Sequence, residues 1–307
     1  MRLSIVALLA LSIPLAAQQP VATPPARAQV VMLGTGTPNP DPDRSGPATA
    51  IVVNGSVYLV DCDPGIVRRV TAANRKGIAA LTMPNLKMVF LTHLHSDHTL
   101  GLPDLIFSPW VMERTALLKV FGPAGTKKMV RNIEAAWAED IDMRLNGGEP
   151  ANKTGSKADA TELKPGVVYE DANVTVTAFP VLHGSWKQAF GYRFDTRINS
   201  KPDRSIVISG DTTYTATIAE ACKGCDVLIH EVYSQPALEK RKPEWRAYHS
   251  RFHTSSADLA RIATQAKPGL LVLYHQLFWT TSEEDLVKEI QKGYSGKVVS
   301  AHDLDVY

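Results

Sequence analysis

The sequence has little net charge and no internal repeat. Its 307 residues include 33 lysines and arginines against 31 aspartates and glutamates, so the formal net charge is +2. A chain this close to neutral exerts no overall attraction on a polyanion, and we therefore do not expect nucleic acid as a partner. The absence of a repeat at a fixed period excludes a solenoid.

Long linkers are also missing. No Gly/Ser-rich or Pro-rich linker occurs after residue 40, and turn signals are spread evenly along the rest of the chain. With 44% hydrophobic and 21% charged residues, the composition is that of a globular protein with a sizeable core. We therefore predict one large α/β domain over residues 29–307, and the sequence leaves a homodimer open.

Cysteine is scarce. The chain has three, and Cys222 and Cys225 form a Cys-x-x-Cys that could close as a disulfide in an exported protein. No second cysteine pair accompanies them, so a zinc site of four cysteines is excluded. Cys62 follows an apolar stretch, and we interpret it as a buried structural thiol.

A long apolar run occurs only at the N-terminus. Met1-Arg2 supplies a positive start, and the apolar residues 3–15 are followed by small residues. This order is typical of a cleaved secretory signal, and cleavage after Ala17 or after Ala28 fits it. The run is shorter than the roughly 20 residues of a membrane-spanning helix, so we expect no stable membrane anchor. We predict that residues 1–28 are a secretory signal and flexible stretch, and that the mature protein is periplasmic or secreted.

Hydrophobic periodicity predicts two similar halves, each a sheet with helices. Residues 48–53 and 57–60 form a hairpin around Asn54-Gly55, the strongest short hairpin signal. A helix with a serine N-cap is predicted over residues 255–265. Two such halves suggest an α/β fold of the four-layer αββα sandwich type, with the polar residues 144–166 as a surface loop. The further predicted strands are residues 29–34, 86–91, 174–179, 190–194, 205–209, 227–229 and 270–274.

A cluster of three histidines and an aspartate directly follows one of these apolar strands. It reads His93-Leu-His95-Ser-Asp97-His98. Residues two apart on an extended backbone project to the same side, so His93 and His95 can bind one metal ion. Asp97 and His98 turn the other way as a helix begins, and can bind a second ion. Three imidazoles and a carboxylate suit zinc, and manganese or iron is also compatible.

With this motif the sequence resembles the metallo-β-lactamase superfamily, whose fold is the αββα sandwich. The resemblance covers residues 29–307 and is closest to the ribonuclease Z and arylsulfatase-like branch. It implies a metal-dependent hydrolase. The residues that match this branch are Gly34-Thr35-Gly36-Thr37-Pro38, Arg44, Asp61-Cys62-Asp63-Pro64-Gly65, Gly122-Pro123 and Gly125.

The resemblance implies three further metal ligands, each at the end of a predicted strand. His183 resembles the third histidine of the first metal site, and His275 resembles the last histidine of the second site. Asp211 resembles the carboxylate that bridges the two ions. The implied cofactor is therefore two Zn²⁺ ions, and no residue is assigned to an organic cofactor. The seven implied ligands are His93, His95, Asp97, His98, His183, Asp211 and His275.

Other residues are implied to support the chemistry. Glu231 and His253 resemble a Glu–His pair that works as a proton donor in ribonuclease Z-like enzymes, because a carboxylate holds the imidazole in one tautomer. Asp97 is assigned a catalytic role besides metal binding. Asp61 is predicted to orient a metal-binding histidine by accepting its far N–H.

The implied mechanism does not name the substrate. A hydroxide held between two metal ions would attack an electrophilic centre while His253 protonates the leaving group, and this chemistry serves several ester types. Residues 239–251 carry five basic and two acidic side chains, a balance of +3, and lie between Glu231 and His253. We therefore predict an exported hydrolase that cleaves an ester-type bond in a small anionic phosphodiester or sulfate-ester-like substrate.

Three features argue against ribonuclease Z activity. The predicted secretory signal would separate the protein from tRNA precursors. Gln276-Leu277-Phe278 replaces the serine and arginine that follow the last metal histidine in that branch, which removes a phosphate-binding arginine. Residues 144–166, where an RNA-gripping arm is expected, carry a balance of only +1.

Three alternatives stay open at this point. A β-lactam or lactone hydrolase fits the predicted compartment. A mononuclear iron persulfide dioxygenase shares the histidine motif, and one iron per chain would distinguish it. A non-catalytic metal-binding protein would show no difference in ester hydrolysis between the native chain and Asp211→Ala.

Overall fold

The computed structural model describes residues 27–307, which form two mixed β-sheets packed face to face. In the first sheet, strands β1 to β3 pair antiparallel and strands β3 to β6 pair parallel. The strands lie side by side in chain order. They are β1 (Gln29–Gly34), β2 (Ala48–Val53), β3 (Ser56–Val60), β4 (Met88–Phe90), β5 (Leu118–Gly122) and β6 (Ala158–Glu162).

The second sheet repeats this plan. Strands β7 to β10 pair antiparallel, and strands β10 to β13 pair parallel. Each half thus starts with hairpins and ends with parallel strands. The strands are β7 (Gly166–Glu170), β8 (Val174–Pro180), β9 (Phe190–Ile198), β10 (Lys201–Ile208), β11 (Val227–Tyr233), β12 (Leu270–Leu277) and β13 (Val298–Ser300).

Alternate residues of a strand point to opposite faces of its sheet, and this explains how the layers of the sandwich are built. Val30 and Met32 of β1 belong to the core between the two sheets, whereas Val31 and Leu33 belong to the core under the helices. Both faces of the strand are buried, and a strand with two buried faces has a continuous run of apolar residues in its sequence. The predicted hairpin is confirmed, since Asn54 and Gly55 have φ of +48° and +79° between antiparallel β2 and β3.

Helices cover the outer face of each sheet, which confirms the αββα sandwich. The predicted helix over residues 255–265 is also confirmed, with the Ser255 side chain accepting a hydrogen bond from the Asp258 N–H. On the first sheet lie α1 (Ile66–Arg75), α2 (Ser96–Thr99), α3 (Leu102–Val111), α4 (Thr126–Ala136) and α5 (Ala138–Asn146). In the second half lie α6 (Ala216–Cys222), α7 (Gln235–Glu239), α8 (Pro243–Phe252), α9 (Ser256–Ala266) and α10 (Glu283–Gln291).

Residues 144–166 are not the surface loop that we predicted. They include the end of α5 and the whole of β6, which pairs parallel with β5. The buried guanidinium of Arg114 donates to the Gly155 carbonyl (2.9 Å) and holds the segment against the fold. The sequence pattern is misleading because β6 is an edge strand whose side chains are mostly polar.

The predicted leader falls almost entirely on residues 1–26, which lie outside the described residues, so it stays a prediction. Ala28, at the end of that predicted stretch, is buried, and its N–H donates to Asp203 (2.8 Å). No helix within residues 27–307 combines the length and apolar character needed to cross a membrane.

The cysteines occupy two different environments. Cys222 and Cys225 form a disulfide at the end of α6. Cys62 is free and fully buried, as predicted for a structural thiol. Burial raises the pKa of the Cys62 thiol well above its usual value, so it is held as the unreactive neutral form.

Candidate metal centre

The predicted ligands meet at one edge of the sandwich, where strands of both sheets end. The loop after β4 carries His93 and His95, and the short helix α2 that follows carries Asp97 and His98. The loops after β8 and β10 carry His183 and Asp211. Gly210 precedes Asp211 with φ of +61°, and a Cβ there would lie 2.8 Å from the Thr92 Cβ, so only glycine fits.

His275 is placed by a β-bulge. Tyr274 pairs with Glu231 and Gln276 pairs with Val232, which leaves His275 as an extra residue in β12. Its φ is +44°, a left-handed conformation that is costly for a histidine. Bulges re-aim a side chain, and this one turns the His275 ring toward Asp97 and Asp211.

The first cluster consists of three imidazoles. His95 Nδ1 lies 3.0 Å from His93 Nε2 and 3.1 Å from His183 Nε2, so three ring nitrogens converge. The far nitrogens are held by protein groups, with His183 Nδ1 donating to the Phe252 carbonyl (2.7 Å). Burial lowers the pKa of His93 well below its usual value and that of His183 to about 3. The rings are therefore neutral, the form that binds a metal ion.

The second cluster combines two imidazoles and two carboxylates. His275 Nε2 lies 3.2 Å from Asp97 Oδ2, and His98 Nε2 lies 3.5 Å from the same oxygen. Both ring nitrogens lie 3.4 Å from Asp211 Oδ2. The clusters adjoin, because the ring centroids of His93 and His98 are 4.2 Å apart.

In this cluster, burial and the charges of neighbouring side chains shift the pKa values in opposite directions. Burial works against ionisation of Asp97 and Asp211, but the neighbouring His98 and His275 hold both pKa values below the usual range. Burial likewise opposes protonation of His98, yet the carboxylates of Asp211, Asp61 and Asp97 raise its pKa well above the usual value.

Asp61 lies behind the second cluster, in the position predicted for it. Its Oδ2 accepts from His98 Nδ1 (2.8 Å), and its Oδ1 accepts from the Thr92 N–H (2.8 Å). In the neutral ring that a metal ion requires, this bond keeps the His98 proton on Nδ1 and leaves Nε2 with a lone pair directed at the cluster.

The donor set fits divalent metal ions. Three groups of side chains satisfy the geometry of a metal site. His93, His95 and His183 form the first, and Asp97, His98, Asp211 and His275 form the second. Glu231 and His253 form a third with His275, which it shares with the second. Among residues 27–307, His98 Nε2 and Asp211 Oδ1 are buried with no hydrogen-bond partner. Such orphaned atoms are costly unless they bind something. The structure thus brings all seven predicted ligands together, and their roles as ligands stay a prediction.

Glu231 and His253 lie beside the second cluster. His253 Nδ1 is 3.3 Å from Glu231 Oε2 and 3.8 Å from Asp211 Oδ2. The other Glu231 oxygen accepts from the Thr254 and Thr212 N–H groups, which fixes the carboxylate. Burial raises the pKa of Glu231 well above its usual value and lowers that of His253 to about 4.

Trp186, which contacts the first cluster, was not predicted from the sequence. The Trp186 indole Nε1 lies 2.9 Å from His95 Nε2, and Trp186 lines a cavity of about 810 Å³ that reaches His95. Trp186 follows His183 by three residues in the β8–β9 loop, and nothing local marks it as a site residue. His302 is 59% exposed and belongs to neither cluster.

Comparison with known proteins identifies the family. Residues 57–276 match the beta-lactamase superfamily domain. The chain belongs to the beta-lactamase superfamily. It is 34% identical over 251 residues to a ribonuclease Z from Mycobacterium sp. (strain KMS), with 81% of this chain and 84% of that protein covered.

Two solved structures share the fold. The metallo-beta-lactamase fold protein YhfI from Bacillus subtilis superposes with a TM-score of 0.69 at 18% identity, covering 92% of this chain and 99% of that one. The short form of human tRNase Z gives a TM-score of 0.65 at 21% identity, covering 91% and 98%. The chain is thus a metal-dependent hydrolase of the metallo-β-lactamase fold, as predicted.

Two predictions from the sequence are wrong. We expected an exported hydrolase of a small sulfate-ester or phosphodiester-like substrate and no nucleic-acid partner, whereas the relatives are ribonucleases Z. The net charge was a poor predictor of nucleic-acid binding, because it sums over the whole chain. Attraction of a polyanion depends instead on where the charges lie. The predicted periplasmic or secreted location is untouched by these findings and stays a prediction.

Proposed function

We propose that this protein hydrolyses phosphodiester bonds in RNA, as a ribonuclease Z. The observation that carries the proposal is the Glu231–His253 pair beside the second cluster, 3.3 Å apart, in a chain 34% identical to a ribonuclease Z. A proton donor is what cleavage of an RNA backbone requires, because the leaving group is a ribose oxygen that departs as an alkoxide.

We propose zinc as the metal in both clusters. Three neutral imidazoles suit Zn²⁺, and the second set of two imidazoles and two carboxylates suits Zn²⁺ or Mn²⁺. Bound there, a pair of divalent ions supplies Lewis acidity at the phosphate and an activated water. The residues that would hold them are the seven of the two clusters.

His253 and Glu231 provide the proton in this proposal. Bound divalent ions would lower the Glu231 pKa, and the ionised carboxylate, which faces His253 Nδ1, favours the tautomer with hydrogen on that nitrogen. An approaching phosphate adds negative charge next to the ring, which raises the His253 pKa from about 4 and lets it carry a proton to the leaving oxygen. Thr212 and Thr254 keep the carboxylate in place through their N–H groups.

The test is cleavage of a 3′-extended tRNA precursor by the metal-loaded chain. We expect a defined endonucleolytic product, and Asp211→Ala should abolish it because that carboxylate belongs to the second cluster. His253→Ala should lower kcat by about 10²- to 10⁴-fold, the usual contribution of a general acid. His302→Ala is the matched control, since that ring is 59% exposed.

Metal analysis accompanies this assay. We expect two zinc ions per chain and loss of zinc from Asp211→Ala. Absence of RNA cleavage by the zinc-loaded native chain would overturn the proposed function, and a single iron per chain would overturn the proposed metal.

A further inference from the structure

Three aromatic side chains form a track along α8. Trp245, Tyr248 and Phe252 are spaced by three and four residues, which places them on one side of the helix. The ring centroids are 5.9 Å apart for Trp245 and Tyr248, and 4.3 Å for the stacked Tyr248 and Phe252. Trp245 is 46% exposed and Tyr248 37%, so the outer end of the track faces solvent.

The inner end of the track reaches the first cluster. The Phe252 ring lies 5.1 Å from the ring of His183. Phe252 and Trp186 also line the cavity of about 810 Å³ that extends to His95, and Lys187 and Gln188 form its polar side. The aromatic surface is therefore continuous from solvent to the imidazole ligands.

The segment that contains Trp245 and Tyr248 is also rich in basic side chains. Residues 239–251 carry a balance of +3, and none of their five basic side chains makes an ion pair or hydrogen bond with any residue in the range 27–307. Arg241 instead packs its guanidinium over the rings of Trp245 (5.9 Å) and Trp279 (5.4 Å). The basic side chains of this segment are Lys240, Arg241, Lys242, Arg246 and Arg251.

We propose that the α8 track binds the single-stranded part of an RNA next to the scissile bond, with bases stacked on Trp245 and Tyr248. The proposal rests on the proposed function and specifies how that substrate is held. Aromatic faces stack only on unpaired bases, and unpaired cations beside them contact the backbone phosphates. A protein partner would be expected to bring carboxylates to this surface, but the continuity with the metal clusters favours the substrate itself.

The track also accounts for a departure from the ribonuclease Z branch. Gln276-Leu277-Phe278 lacks the phosphate-binding arginine expected after His275. Arg241 packs over Trp245 at the outer end of the track, and Lys187 lines the cavity at its inner end, so these two cations are placed to contact phosphates in this proposal.

Binding of a fluorescein-labelled 12-nucleotide oligouridylate to the zinc-loaded native chain tests the inference. Trp245→Ala and Tyr248→Ala should each raise Kd about tenfold, the effect of losing one stacked base. Trp137→Ala is the matched control, because that ring is 41% exposed and packs on Phe107 in the helical layer of the other sheet. A duplex of equal length should bind more weakly than the single strand.

Salt dependence supplies a second readout. The double variant of Lys187→Ala and Arg241→Ala should flatten the slope of log Kd against log salt by about 1.4, since each lost phosphate contact contributes about 0.7 for a single strand. Arg131→Ala, on the exposed side of α4, should leave the slope unchanged.

The outcomes separate this inference from the proposed function. Equal Kd values for Trp245→Ala, Tyr248→Ala and Trp137→Ala, or equal affinity for duplex and single strand, would overturn the track. A native chain that binds oligouridylate through these residues but cleaves no tRNA precursor would support the track and overturn the proposed function.

Discussion

Asp61 shows how a residue outside the two clusters controls them. It accepts hydrogen bonds from His98 Nδ1 and from the Thr92 N–H and hydroxyl, and it is fully buried. An amide in its place would turn an N–H toward His98 Nδ1, and the ring would be driven into the tautomer that cannot bind a metal through Nε2.

We therefore expect Asp61→Asn to weaken metal affinity of the second cluster by about 10- to 100-fold. Competition titration with a chromophoric chelator measures it. The control is Asp171→Asn, a partly buried aspartate that accepts from the Asn173 and Val174 N–H groups in the turn between β7 and β8. Unchanged affinity in Asp61→Asn would show that the His98 tautomer does not depend on this carboxylate.

His230 is a buried histidine with one unsatisfied nitrogen. Its Nδ1 donates to the Glu231 carbonyl (2.6 Å), and its Nε2 has no partner among the described residues. Burial lowers its pKa to about 4, whereas a histidine in the unfolded chain titrates near 6.5. Between these values the unfolded state binds more protons, so stability falls as the pH falls from 6.5 to 4.

Replacing this ring should remove part of the acid sensitivity. Between pH 7 and about pH 4.5, one such histidine costs about 2 kcal/mol of the free energy of unfolding. Over this pH interval, the free energy of unfolding of His230→Gln should fall by about 2 kcal/mol less than that of the native chain, as measured by urea unfolding at both pH values. The exposed His302→Gln should behave like the native chain. Equal pH dependence in both variants would contradict the assignment.

At the scale of elements, Arg114 joins segments that lie far apart in the chain. Its guanidinium donates to the carbonyls of Leu86, Leu105, Ile106 and Gly155 at 2.6–3.0 Å. It thereby ties α3 to the residues that lead into β4 and β6. Burial lowers its pKa to about 10, so it stays charged at neutral pH.

We expect Arg114→Met to lower the free energy of unfolding by about 3 kcal/mol, because four buried carbonyls lose their donors. Urea denaturation measures the change. Arg131→Met on the exposed surface of α4 should change stability by less than about 0.5 kcal/mol. Equal stability of the two variants would mean that other donors replace Arg114.

At the scale of the whole molecule, metal ions should stabilise the sandwich. The clusters take ligands from loops and strands of both sheets, so an ion bound there links the two halves. We expect chelation to lower the unfolding temperature by on the order of 10 °C, from ligand-linked stabilisation of about 4 kcal/mol in a chain of this size. Differential scanning calorimetry before and after chelation measures it, and added Zn²⁺ should restore the transition. An unchanged transition would contradict a metal that links the sheets.

Sequence patterns predicted correctly the features that depend only on residues close together in the chain. The Asn54-Gly55 turn, the Ser255 cap and the buried strands need only neighbouring residues, and each is confirmed. The polar edge strand β6 was missed, because its pairing with β5 is a contact between distant parts of the chain. The histidine cluster at 93–98 was visible because the ligands lie within six residues.

The sequence alone determined the alternation that builds two sheets, the residue types that suit a metal ion, and the family to which they belong. Only the tertiary structure decided which nitrogens converge, since the bulge at His275 and the Trp186 contact with His95 join residues distant in sequence. It also placed Arg241 over Trp245, at the outer end of an aromatic track that leads to His183. Net charge is a sum that contains no positions, whereas a binding surface depends on the positions of its charges.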